Sequence, residues 1–156
     1  VITTTGFVPD STHVVLVSFG YRNGPPPADA EITVNVQHRF HDPGVDPALR
    51  ALTARDQEIL DRVMYTPGVR DLVTDLAGMA RTMTAQLYGR KRRSSVPVTI
   101  AVGCTAGRHR SPSIAILTAG DLDRTGYNVH LLHRDIDKNP LEDGDYTRWL
   151  DGSEKP

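Results

Sequence analysis

The chain has 156 residues, 38% of them hydrophobic and 24% charged, with a formal net charge of -1, which fits one globular domain built around a single core. Near-neutral charge demands no polyanionic partner, and a single cysteine excludes an internal disulfide and any multi-cysteine zinc site. No apolar run approaches the roughly 20 residues of a membrane span, and the opening VITTTGFVPD lacks the regions of a signal peptide, so the expected location is cytoplasmic with no membrane role.

Residues 1–12 read as a flexible N-terminal segment that opens on Val1 rather than Met, as a fragment would. HVVLVSFG (13–20) is a nearly continuous apolar run, the pattern of a strand buried on both faces. YRNGPPPADA (21–30) is turn-rich, and EITVNV (31–36) alternates as a second strand would. The irregular, polar QHRFHDPGVDP precedes a helix predicted over 53–66, with Thr53 as N-cap, Ile59, Leu60 and Val63 on one face, and Pro67-Gly68 as the stop. A second helix is predicted over 69–88, with Leu72, Val73, Leu76, Met79, Ala80, Met83 and Leu87 as a buried stripe that reads as core. GRKRRSS (89–95) is a basic linker into the strand VPVTIAVG (96–103). The helix 111–126 carries clear punctuation: Ser111 as N-cap, Pro112 at the first helical position and Gly126 just past the end. YNVHLLH (127–133) closes a strand–loop–helix–strand unit of the right-handed crossover type. Residues 139–156 read as an acidic, mobile tail. The expected fold is therefore α/β, with a mixed or parallel sheet, flanking helices and an anion-binding loop between strand 96–103 and helix 111–126.

That loop, CTAGRHRS (104–111), leaves the carboxyl end of one element and enters the N-terminus of the next, where α/β sheets bind ligands. Gly103 and Gly107 let successive amides converge on an anion, Arg110 offers a forked guanidinium, and Thr105 and Ser111 offer hydroxyls. Five residues separate Cys104 from Arg110, so the C-x5-R-S-P run also resembles the loop of low-molecular-weight tyrosine phosphatases, in which Cys104 would be nucleophile and Arg110 the phosphate ligand. That family carries its loop near the N-terminus and its acid in a downstream Asp-Pro. Here Asp42-Pro43 and Asp46-Pro47 lie upstream, and Asp135 lacks the proline. The preferred reading has no catalytic residue and leaves Cys104 as a loop-shaping, oxidation-sensitive thiol; Asp42 and Asp135 are the acids of the alternative. His38-x2-His41 and His130-x2-His133 place their rings on opposite faces of a strand, so no metal or other cofactor is expected.

Four blocks carry a second resemblance: SFGYRNG (18–24), DPALRALT (46–53), AVGCTAGRHRS (101–111) and GYNVHLLHRD (126–135). In this order and spacing, residues 13–138 resemble the C-terminal domain of the RapZ family, known as RNase adaptors and nucleotide-binding proteins. The resemblance implies an α/β domain with a sugar-phosphate or nucleotide-sugar pocket at the Cys104 loop, a regulatory role, and self-association. In enteric members the domain senses glucosamine-6-phosphate and binds small RNA. Carried over by motif, the ligand site takes Cys104, Thr105, Ala106, Gly107, Arg108, His109, Arg110 and Ser111, with Ser18, Gly20, Tyr21 and Arg22 from the first block. Arg39 and His41 stand in for family residues that Asn35-Val36-Gln37 and Asp42-Pro43-Gly44 replace. An RNA partner would fall to Arg22, Arg90, Lys91, Arg92, Arg93, His133 and Arg134, through phosphate contacts whose affinity falls with salt, and the resemblance also implies a protein partner. No G-x-x-x-x-G-K-[ST] loop occurs in the sequence, so ATP hydrolysis by this chain is not expected.

Overall fold

In a computed structural model, residues 1–4, 6–86 and 96–150 are described, the side chains of 147–150 excepted. The centre is β2 (Val14–Gly20), all seven residues of which are buried. It runs parallel to β4 (Val98–Cys104) on one side and to β5 (Val129–His133) on the other. β3 (Ile32–Asn35) adds to the outside of β4 and β1 (Ile2–Thr3) to the outside of β5, giving the order β1-β5-β2-β4-β3 with every pairing parallel. The sheet is thus the parallel one of the two forms expected. Continuous apolar runs in β2 and β4 are what such a sheet asks for, because the inner strands have no solvent face.

Alternate residues of the three inner strands, among them Val14, Leu16, Ile100, Val102, Val129 and Leu131, form one core with Ile114, Ala115, Ala119 and Leu122 of α3 (Arg110–Arg124). α3 packs on β2, β4 and β5, and α1 (Gln57–Met64) and α2 (Val69–Ala85) pack against α3. Cys104 belongs to the same inward-facing row, which carries the core up to the loop.

Several sequence expectations are corrected. α1 begins at Gln57 because Thr53 and Asp56 close a turn of their own, Thr53 N–H donating to Asp56 Oδ2 at 2.8 Å, while the N–H of Ala54 is drawn to the Arg108 carbonyl at 3.0 Å. α3 begins at Arg110 with His109 at its N-cap; Ser111 does not cap it, because its hydroxyl donates to the Phe19 carbonyl at 3.0 Å. Pro112 is then the third helical residue, still within the turn whose N–H groups need no intrahelical acceptor. Met79 is 46% exposed rather than core, and Leu87 and residues 88–95 lie outside the described residues. The N-terminal segment contributes β1, and the tail contains α4 (Asp143–Leu150).

Candidate functional site

β2 and β4 end side by side, Gly20 opposite Cys104, so the loop after each must share one small volume at the carboxyl edge of the sheet. They interlock through two glycines. A Cβ on Gly107, which sits at φ +78°, would lie 2.7 Å from the Gly20 nitrogen and 2.9 Å from Asp135 Cβ, and one on Gly20 would lie 2.7 Å from the Gly107 nitrogen. Only glycine permits this approach at either position. The Arg22 N–H donates to the Thr105 carbonyl at 3.1 Å, and Asn23 Nδ2 to the Ala106 carbonyl at 3.2 Å. The loop from Cys104 to Ser111 is buried throughout.

Cys104 Sγ accepts the Gly107 N–H at 3.3 Å and lies 3.1 Å from Ser111 Oγ. The Ser111 hydroxyl also donates to the Phe19 carbonyl, so Ser111 links the Cys104 sulfur to the backbone at the end of β2.

The basic residues of the loop are turned onto protein groups. Arg110, 2% exposed, donates through one terminal nitrogen to the carbonyls of Val36 (3.1 Å), Gln37 (2.8 Å) and Arg39 (3.1 Å), and through the other to Asp42 Oδ2 at 2.7 Å. The forked guanidinium expected to grip an anion therefore holds the 36–42 segment instead. Arg108 donates to the carbonyls of Ile136, Lys138 and Ala51. His109 places Nδ1 3.2 Å from Asp42 Oδ1 and Nε2 3.0 Å from the Leu52 carbonyl. Burial alone would raise the Asp42 carboxyl, but the His109 hydrogen bond, the Arg110 charge and the Gly44 N–H together push it down to about 2.

The HRD arm is equally committed. Asp135, fully buried, accepts the Gly20 N–H at 2.7 Å and pairs with Arg134 at 2.8 Å and Lys138 at 3.0 Å. Against the effect of burial, the Arg134 hydrogen bond, the Gly20 N–H and Lys138 hold its carboxyl below the usual range. Arg134 also donates to the carbonyls of Pro25, Gly20 and Gly24 and lies 5.1 Å over the Phe19 ring, while Tyr21 packs on the same ring at 4.8 Å. His133 Nδ1 meets Ser18 Oγ at 2.7 Å, and burial, helped by Arg55, pushes the imidazole down to about 4.

Cys104 to Ser111, Ser18 to Arg22 and the 37–42 segment thus converge on one edge. Among the described residues, Thr105 Oγ1 is a buried hydroxyl without a hydrogen-bond partner. Beside the convergence lies a cavity of about 340 Å³, bounded by Gln37, Phe40, His41, Asp42 and Arg110 on one side and by Leu141, Asp145 and Tyr146 on the other. The Arg39 side chain is exposed, and Arg90, Lys91, Arg92 and Arg93 lie outside the described residues. Asp145, Tyr146 and Arg50 were not singled out from sequence; a short acidic stretch far along the chain carries no periodicity that would place it here.

The RapZ C-terminal domain family matches residues 12–137. The chain belongs to this family. A nucleotide-binding protein of Rhodospirillum centenum is 42% identical over 130 residues, 82% of this chain and 37% of that protein. One from Limosilactobacillus reuteri is 35% identical over 126 residues (81% of this chain, 42% of that protein), and one from Thermobifida fusca is 32% identical over 121 (78% and 40%). This RapZ C-terminal domain therefore spans about two fifths of the length of the curated relatives it matches.

Proposed function

We propose that this domain is a regulatory module that binds a phosphorylated small molecule, a sugar phosphate or nucleotide sugar, where α3 meets the ends of β2 and β4. The observation that carries the reading is a pair of buried, unpartnered hydroxyls, Thr105 Oγ1 in the loop that leads from β4 into the 15-residue α3 and Ser113 Oγ in the first turns of that helix. First-turn N–H groups lack intrahelical acceptors and carry partial positive charge, so the loop and the helix start together offer donors suited to an anion. The neighbouring cavity of about 340 Å³, which Arg110 of α3 lines, has the size of a small-ligand pocket. Relatives named nucleotide-binding proteins favour the same ligand class.

The phosphatase alternative asks for a protonated acid and a free thiolate. Asp42 and Asp135 are both held ionised, and Cys104 Sγ is buried in contacts with Ser111 Oγ and the Gly107 N–H. Thermal-shift titration with inorganic phosphate, sugar phosphates, nucleotide sugars and nucleotides should raise the melting temperature for phosphorylated ligands, since a ligand that prefers the native state stabilises it by mass action. p-Nitrophenyl phosphate should not be turned over between pH 5 and 8. Saturable, vanadate-sensitive turnover lost in Cys104→Ser would overturn the reading. Self-association and an adaptor role toward RNA or protein belong to the same proposal on family membership alone; light scattering at micromolar concentration tests the first, and salt-dependent RNA binding the second.

A further inference from the structure

We propose that the acidic C-terminal segment from Leu141 to Tyr146 is a strap that closes the anion site and competes with its ligand, Asp145 occupying the Arg22 guanidinium that a phosphate would otherwise take. The proposal rests on the anion-binding reading above and adds its regulation. The strap lies beyond residue 137, where the family match ends.

Arg22 starts at the mouth of the loop, its own N–H on the Thr105 carbonyl, and its side chain is 47% exposed. Asp145 Oδ2 lies 3.1 Å from this guanidinium and also accepts the Glu142 N–H at 2.9 Å, so one carboxylate both closes the turn that opens α4 and holds the arginine. Two further contacts seat the strap. Asp143 pairs with Arg50, whose Nε donates to the Gly44 carbonyl at 2.8 Å and whose guanidinium lies 4.6 Å over the Tyr146 ring. The Tyr146 hydroxyl fills the place a side chain on Gly44 would take, beside the His109 ring. The strap is thereby the outer wall of the cavity whose inner wall includes Arg110 and His41.

The carboxylate offers Arg22 the chemistry a phosphate oxygen offers, and two anions cannot share the guanidinium without repulsion. Both ends of the Arg22–Asp145 pair are partly exposed, at 47% and 30%. Such pairs are worth a factor of up to about five in an equilibrium, strong enough to bias the site and weak enough to release.

The test is calorimetric titration of the full chain with inorganic phosphate, in wild type, Asp145→Asn, Tyr146→Ala and, as a control for net charge, Asp71→Asn on the exposed side of α2. Hydrogen exchange at the Asp145 amide, which donates to the Glu142 carbonyl at 3.0 Å, is followed with and without phosphate. Asp145→Asn and Tyr146→Ala should bind phosphate about two- to fivefold more tightly than wild type and the control, and phosphate should speed exchange at Asp145 in wild type. Equal or weaker binding by both strap variants, or an Asp145 amide indifferent to saturating phosphate, overturns the strap while leaving the anion site standing. Binding by none of the four proteins overturns the anion site itself and the strap with it.

Discussion

Thr105 and Arg110 show how differently two polar side chains of one loop can be employed. The Thr105 hydroxyl is buried without a partner, a state that costs about 1–3 kcal/mol until something hydrogen-bonds it. Thr105→Val keeps the shape and removes the unsatisfied group, so it should leave the ligand-free protein equally stable or stabilise it by about 1 kcal/mol, while reducing the phosphate-induced rise in melting temperature. A merely structural threonine would give the opposite pattern, lower stability and unchanged ligand response. Arg110 is the reverse case. Its carbonyl contacts run from Val36 to Phe40, and Phe40 adopts φ +63°, a conformation rare for a bulky residue, as the turn bends around the guanidinium. Asp42→Ala would strip the charge partner from a guanidinium that is 3% exposed, so urea denaturation should show a loss of about 3–5 kcal/mol. A loss below about 1 kcal/mol would mean that Arg110 is held by the carbonyls alone.

At the scale of elements, the decisive feature is the interlock of the β2 and β4 loops. Gly107→Ala would force a side chain into φ +78° and into the Gly20 backbone, two costs that together come to about 3 kcal/mol; unfolding midpoints within experimental error of wild type would refute the interlock. Much of this architecture was legible in the sequence. The runs at 13–20 and 96–103 read as strands buried within a mixed or parallel sheet, and the Gly20 and Gly107 neighbourhoods were both marked as site loops by their motifs. What stayed hidden was the direction of side chains. C-x5-R spacing shows that Arg110 enters a helix N-terminus, but not that four carbonyls of a distant turn would claim it, because the turn at 36–42 has no periodic pattern to place it. Ser111 was misread for a related reason: a serine before a helix caps it by default, and only the nearness of the Phe19 carbonyl redirects the hydroxyl. The strap was invisible because its anchoring partners, Arg22 and Arg50, lie about a hundred residues upstream.

For the molecule as a whole, these buried charges set the response to pH. His133 is pushed down to about 4 and His130 is also lowered, in both cases chiefly by burial, so the folded protein keeps both rings neutral where the unfolded chain, with histidine near 6.5, takes up protons. Their contribution is therefore fully present above about pH 6.5 and is lost as pH falls below it, for His133 through about 4. Asp42 and Asp135 are lowered carboxylates. Their contribution is present above the unfolded value near 3.9 and is lost below it, for Asp42 as pH falls through about 2. Thermal stability should accordingly decline in two stages, a shallow one from pH 6.5 to 4 and a steep one below 4. His133→Gln keeps an acceptor for Ser18 and cannot titrate, so it should flatten the first stage by about 1–2 kcal/mol, allowing for the ring's partial exposure, and leave the second in place. Differential scanning calorimetry from pH 7.5 to 3 separates the stages, and a His133→Gln profile that parallels wild type between pH 6.5 and 4 would remove His133 as the source of the first. Because the same edge of the sheet carries His133, Asp135 and the ligand loop, the acid limb also bears on the site: once Asp135 is protonated, the Gly20 amide loses its anionic acceptor and the two interlocked loops part. Ligand-induced stabilisation should therefore vanish with the second stage and survive the first.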